Sequence, residues 1–268
     1  MSEAEATNGG IKPFSHFERL VAWRYLRSRR RETIVSVIAS ISFIGIMLGV
    51  ATLIVVMAVM NGFRAELLTR ILGVNGHLVV QPIDMPMNDY EAVAARISNV
   101  SGVQLAVPLV QGQVLASGPG GAGTGALIRG VLTEDLTEMD LISGNIRQGS
   151  LVGFASGEGV AIGTRMAETL GLALGDSITL FSPEGDVTPF GTTPRVKAYP
   201  VAAIFEIGMS EYDSTVVFMP LNEAQLFLNI EGLAQFIEVF VNDPDNVDAL
   251  RAPIEAAAQR PVAITDWR

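Results

Sequence analysis

IVSVIASISFIGIMLGVATLIVVMAVM, Ile34–Met60, carries no charged residue. As a helix rising about 1.5 Å per residue it is about 40 Å long, against about 30 Å for the hydrocarbon core of a bilayer. The stretch is long enough to cross a membrane and extend beyond it. The competing reading is a cleaved signal peptide, whose apolar core spans about 7–15 residues behind a shorter basic lead. This run is about twice that length and follows 33 residues of chain, so it reads as a retained membrane helix.

The charges on its two sides differ. Residues 1–32 hold seven Lys/Arg against four Asp/Glu, and residues 33–268 hold 11 against 24. Arg19, Arg24, Arg27, Arg29, Arg30 and Arg31 crowd the near side, whereas only Arg64 and Arg70 follow closely. That asymmetry places the N-terminus in the cytoplasm and the large following portion across the membrane. An acidic portion without a basic stripe argues against nucleic acid as a partner. With no cysteine in 268 residues, disulfides and cysteine-based metal sites are excluded.

Before the run, FSHFERLVAWRYLRSRRR (Phe14–Arg31) mixes aromatics with arginine. It reads either as a helix lying at the cytoplasmic interface or as a plain topology signal. Within the run, Ser42, Gly45, Gly49 and Thr52 recur at i, i+3, i+7 and i+10. Such a stripe is a helix-packing face for a helix from another chain, or simply the small residues common in membrane helices.

Beyond Met60 a helical period continues through Phe63, Leu67, Leu68, Ile71 and Leu72, with Gly73 as the expected stop. The first segment, 1–32, is thus cytoplasmic, 33–73 forms the membrane helix and its stalk, and 74–268 is the large domain. In that domain, residues 77–82 form a strand, and Asn88 caps a helix reaching about Ser98. Strands at 104–117 and 124–132 follow, joined over a glycine-rich tip. Near the C-terminus, 236–241, 245–258 and 261–265 repeat the strand, helix, strand order. The two βαβ-like ends fit one ferredoxin-like, split-βαβ sheet, making the domain α+β, with an inserted β-rich subdomain at about 146–228. Within the insert Thr164 caps a short helix ended by Gly171, and 175–181, 196–207 and 214–220 read as strands, with a short helix at 221–228.

Catalytic signals fail on context. Gly118, Gly120 and Gly123 satisfy G-x-G-x-x-G, but a strand follows where a dinucleotide site needs a helix. No phosphate-binding GxxxxGK[ST] loop occurs. His16 and His77, the two histidines, fall on opposite sides of the membrane in this topology, which argues against a histidine metal site or catalytic triad. Glu134, Asp135, Glu138 and Asp140 lack calcium-loop spacing and read as a solvated turn. Glu206, Glu211 and Asp213 suggest no apolar pocket that would make them acid and base. No catalytic residue and no metal ligand is assigned.

SPEGDVTPFGTTPR, Ser182–Arg195, is different. Three prolines and two glycines stiffen a hairpin arm between strands, with Phe190 at its tip. An aromatic held out on a rigid loop is a protein-docking device, and an incidental aromatic on a surface loop is the alternative.

WRYLRSRRR, then Ser42–Gly73, Ala161–Pro183 and the closing TDWR (Thr265–Arg268) resemble the LolC/LolE family, the permease subunits of the lipoprotein-releasing ABC transporter of Gram-negative inner membranes. The resemblance implies one membrane helix, a MacB-like periplasmic core domain and three further membrane helices. It implies extraction of outer-membrane-directed lipoproteins from the inner membrane and their transfer to the periplasmic chaperone LolA. ATP is then bound and hydrolysed by a separate LolD-like subunit, with no cofactor on this chain. The arm, with Thr188, Pro189, Phe190, Gly191, Pro194 and Arg195, resembles the hook by which LolC-like members recruit the chaperone. The membrane segment looks more like the LolE side, which suggests a member combining both roles, paired with itself or with a paralogue. Lipoprotein substrates and membrane lipid complete the implied partners. The family continues past the position of Arg268, so the chain is expected to be the N-terminal portion of a longer permease. The alternatives are a MacB- or FtsX-type permease with other cargo or a regulatory role, and a single-span periplasmic sensor or scaffold.

Overall fold

A computed structural model describes residues 16–27, 33–155, 159–188 and 191–266. The chain divides into two units, Met1–Phe63 and Arg64–Arg268.

In the first unit α1 (His16–Arg27) exposes Phe17, Leu20, Val21, Trp23 and Tyr25. Helix α2 (Thr33–Val74) begins after Glu32, and its residues from Arg64 on belong to the second unit. Ile34–Arg64 within α2 is long and apolar enough to cross a membrane, with a mean hydropathy of 2.7. Its side chains are exposed on every side, because an all-round apolar helix has no single face to bury.

In the second unit α2 runs one residue past its expected stop. Gly73 does not end the helix; a Cβ there would lie 2.8 Å from the Leu141 side chain, so this glycine admits a close neighbour. Next come β1 (Leu78–Pro82), α3 (Tyr90–Ser98), β2 (Val103–Ser117) and β3 (Gly123–Val131). They are followed by α4 (Thr133–Glu138), α5 (Asp140–Ser143), β4 (Ile146–Gly149), α6 (Val152–Ala155), β5 (Val160–Gly163) and α7 (Thr164–Leu170). The chain continues with β6 (Ser177–Thr188), β7 (Gly191–Phe205), α8 (Ser210–Thr215), β8 (Val216–Pro220) and α9 (Leu221–Phe227). It closes with β9 (Phe236–Val241), α10 (Asp248–Ala258) and β10 (Val262–Asp266).

The expected ferredoxin-like sheet is present. Its order, β10-β1-β9-β2, is antiparallel throughout, and α3 and α10 cover one face. Leu78, Val80, Val93, Ile97, Ile237, Val239 and Ile254 form the core beneath the helices. Asn88 does not cap α3. Asp89 holds the cap position without a side-chain bond to the helix, and its Oδ1 accepts from Arg260. Thr164 likewise is the first helical residue of α7, with Gly163 at the cap, while Gly171 ends that helix in a left-handed conformation as expected.

Strand β2 serves two sheets. Its first half pairs with β9, and from Val110 it pairs with β3. The ladder then runs β3 to β8, β8 to β5, β5 to β7, β7 to β6, and β6 back to β2, closing a barrel of six strands. The expected insert at 146–228 holds β5 to β8, whereas the barrel also takes Val110–Ser117 and β3. Val114, Ile128, Ile162, Ile178, Leu180, Val201 and Val217 fill it, with α7 and α9 packed at the same core. A third cluster, with Val74, Val107, Leu136, Phe205, Phe218 and Phe240, joins the sheet to the last turn of α2 and to α4–α6.

Candidate docking site

The arm is a β-ladder almost to its tip, not a loop. Thr188 pairs with Gly191, Val187 with Thr192 and Asp186 with Thr193. Pro189 and Phe190 lie outside the described residues. Nearer the root, Ser182 pairs with Arg195, and the register then slips: Pro183, Glu184 and Gly185 stand opposite Pro194 alone. Two prolines without N–H groups meet there, and such an irregularity bends a strand pair. Below it, Phe181 pairs with both Leu115 and Val196, so β6 is still in the barrel wall. Among the described residues, the strand pairs of 182–188 and 191–195 are only with one another, which makes them an arm leaving the wall.

Alternation along β7 sends Arg195, Lys197 and Tyr199 to one face, where they meet α9. Arg195 donates Nη1 to the carbonyls of Leu226 and Phe227, at the end of α9, and Nη2 to Asn229 Oδ1 at 3.4 Å. Lys197 Nζ lies 2.7 Å from Glu223 Oε2 and 4.8 Å from the Tyr199 ring centre. The Tyr199 ring stands edge-on to Phe227 at 6.1 Å. Burial, and next the Glu223 carboxylate, push the Tyr199 phenol above its usual range. Arg195, expected to contact a partner, is thus bonded to this chain's own helix end; Pro194 beside it is exposed.

Helix α9 is itself firmly held. A Cβ on Gly130 would stand 2.2 Å from Ala224, so α9 presses directly on β3. Leu221, Ala224 and Phe227 enter the barrel core. Gln225 Nε2 donates to Leu233 O at 2.9 Å. Asn229, at φ 60, takes the left-handed position after the helix, and Ile230 N donates back to Gln225 O at 2.9 Å. The pattern is a Schellman end, and Arg195 adds donors for two carbonyls there.

A second polar centre has only a faint signal in the sequence. Arg129 on β3 and Glu238 on β9 are 2% and 5% exposed, and their side chains meet at 2.6 Å. Arg129 Nη1 also donates to Val74 O at 3.2 Å and to Asn75 Oδ1 at 2.9 Å, and Gly76 N donates to Glu238 Oε2 at 3.2 Å. The pair latches the last turn of α2 to two strands. The signal that could have found it is one charge of each sign inside otherwise apolar strands, ALIRGV and FIEVFV. By alternation, Glu238 shares a face with Phe236 and Phe240, and Arg129 with Val131.

The remaining expected residues fall as follows. Gly45 and Gly49 would carry a Cβ with nothing within 4 Å, and Ser42 and Thr52 are exposed on the same helix, so this stripe is uncovered among the described residues. His77 is buried; its Nδ1 accepts from Val241 N at 3.0 Å, and burial lowers its pKa. Asp213 is buried and accepts from the N–H groups of Ile207 and Gly208, while Glu206 pairs with Arg147 at the surface. Glu134, Asp135 and Glu138 lie on α4 and Asp140 starts α5, which replaces the expected turn with helix. The glycine tip between β2 and β3 is a turn in which Gly118 N donates to Ala122 O at 3.1 Å.

The chain is 32% identical over 253 residues to the lipoprotein-releasing system transmembrane protein LolC of Neisseria meningitidis, covering 92% of this chain and 61% of that protein. It is 26% identical over 229 residues to LolE of Haemophilus influenzae, covering 84% of this chain and 55% of LolE. The chain therefore spans about three-fifths of the length of the first of these relatives. The periplasmic region of MacB from Actinobacillus actinomycetemcomitans superposes with a TM-score of 0.47 at 11% identity, over 75% of this chain and 94% of that one. The model of the MacB-like periplasmic core domain matches residues 39–257, and the chain belongs to that family.

Proposed function

We propose that this chain is the N-terminal part of a permease subunit that releases outer-membrane-directed lipoproteins from the inner membrane and passes them to a periplasmic chaperone. Its role is mechanical. A separate ATPase subunit hydrolyses ATP, and the chain binds no cofactor. The relatives named for lipoprotein release support the reading, as does the apolar helix Ile34–Arg64 ahead of a MacB-like periplasmic core domain. The arginine-rich side of the helix faces the cytoplasm in this proposal, and the domain faces the periplasm. The face of Ser42, Gly45, Gly49 and Thr52 receives a helix of a second permease subunit. Leucine at Gly45 and Gly49 then abolishes co-purification of the two permeases; unchanged pairing removes that assignment.

The observation that carries the reading is the self-paired arm, residues 182–188 against 191–195. The ladder is paired as far as Thr188 and Gly191, and the docking surface in this reading comprises Thr188, Pro189, Phe190 and Gly191. A MacB- or FtsX-type permease of other cargo has no expected use for such a tip. The test is photocrosslinking from Thr188 and Phe190 in the full-length permease in its membrane. The expected adduct is a soluble periplasmic chaperone. Adducts with lipid or transporter subunits alone reject the docking role.

A further inference from the structure

We propose that α9 sets the angle of the arm, and that Arg195 is the positioning residue that clamps the arm's root to the end of that helix. The proposal rests on the docking role of the arm and changes the part Arg195 plays in it. Arg195 stabilises the arm through α9 instead of touching the docked partner.

Three observations converge. Arg195 stands in the last regular pair before the ladder slips at Pro183–Gly185, so nothing further out can transmit the barrel's geometry without crossing a bend. Its guanidinium spans the carbonyls of Leu226 and Phe227 and the amide oxygen of Asn229. These acceptors lie at the negative end of α9, where a planar fork fits and an ammonium does not. The helix is meanwhile immobilised from its other sides, by Gly130, by the barrel core and by Leu233. Lys197, in the barrel wall two residues below Arg195, holds the same helix through Glu223, about a helical turn away along α9. The wall and the root of the arm are thereby tied to one helix, and the three acceptors of Arg195 fix the direction in which that root leaves the wall. An arm held at a single angle docks a partner without first sampling unproductive orientations, and a loose arm loses affinity in proportion to the fraction misdirected.

The test uses the full-length permease with spin labels at Thr193 on the arm and Asn99 beyond α3, both exposed. Pulsed-EPR distances are read together with chaperone crosslinking from Thr188. Arg195→Ala and the helix-side pair Glu223→Gln/Asn229→Gly each broaden the distance distribution. Each also lowers crosslinking by about tenfold, as the competent fraction falls. Arg195→Lys keeps the charge without the fork and does not rescue either readout; it also serves if Arg195→Ala fails to fold. The proposal is overturned if Arg195→Ala lowers crosslinking while the distances stay narrow, which makes Arg195 a direct contact, or if Arg195→Ala leaves the distances narrow and crosslinking unchanged, which removes any positioning role. Absence of any chaperone adduct in the unsubstituted protein rejects the docking role instead, and the distances still report whether the clamp holds the arm.

Discussion

Arg129 and Arg195 both donate to carbonyls at the end of a helix, Val74 of α2 and Leu226 and Phe227 of α9. Their surroundings differ. Arg129 is 2% exposed, lies 5.9 Å from the centre of the Phe218 ring, and faces a carboxylate as buried as itself. Arg195 is half-buried at the foot of an arm, beside a Lys197 that is 52% exposed. The same chemistry therefore has different consequences. In the interior a lone charge has no water to fall back on, so the pair stands or fails as a unit. At the surface water replaces a lost partner, and what a hydrogen bond supplies is direction more than stability.

Breaking the buried pair gives the largest effect. Glu238→Ala leaves Arg129 charged and unmatched, and is expected to cost about 3–5 kcal/mol. Replacing both, as Arg129→Met with Glu238→Leu, is expected to recover most of that loss, because two apolar side chains need no partner. Chemical unfolding of the full chain checks both, and equal losses for the single and double changes would refute the account.

Asp135 sharpens the comparison from the other direction. Its Oδ2 is buried with no hydrogen-bond partner among the described residues, where no cation answers it as Arg129 answers Glu238. Burial first, then Glu138 and Glu134, raise its pKa from 3.8 to about 7. The folded state thus prefers the protonated acid. Its stabilising share is complete below pH 3.8 and is lost as pH rises through about 7. Asp135→Asn is expected to gain about 1–2 kcal/mol near pH 8, allowing for partial exposure, and nothing near pH 4. A gain of the same size at both pH values would contradict the burial argument.

The smallest effect on stability belongs to the arm. Arg195→Ala is expected to change the unfolding free energy by less than about 1 kcal/mol while the arm loses its fixed angle. A loss as large as that of Glu238→Ala would mean the foot of the arm is part of the folding core.

Much of the architecture was legible because it is written in local periodicity. The uncharged run Ile34–Met60, the alternating strands at 104–117 and 236–241, and Gly171 after α7 each signal their element within a few residues. The caps were less legible. Asn88 and Thr164 have the right chemistry beside a helix start, but the cap position of α3 falls on Asp89, whose carboxylate meets Arg260, 171 residues away. The arm was legible as proline and glycine between two strands. Its clamp was not, since Arg195 and the carbonyl of Leu226 are 31 positions apart and a carbonyl carries no sequence signature.

By itself the sequence determined a long apolar helix, the side of it that is basic, the α+β character of the rest and a stiff hairpin, because these depend on neighbours in the chain. Only the tertiary structure decided that β2 is shared between sheet and barrel, that Arg129 finds Glu238, and that α9 lies under the arm. Those outcomes depend on which distant strands pair. Pairing brings together residues as far apart as Gly76 and Glu238, and at that range burial and the need to match every interior charge select the partner.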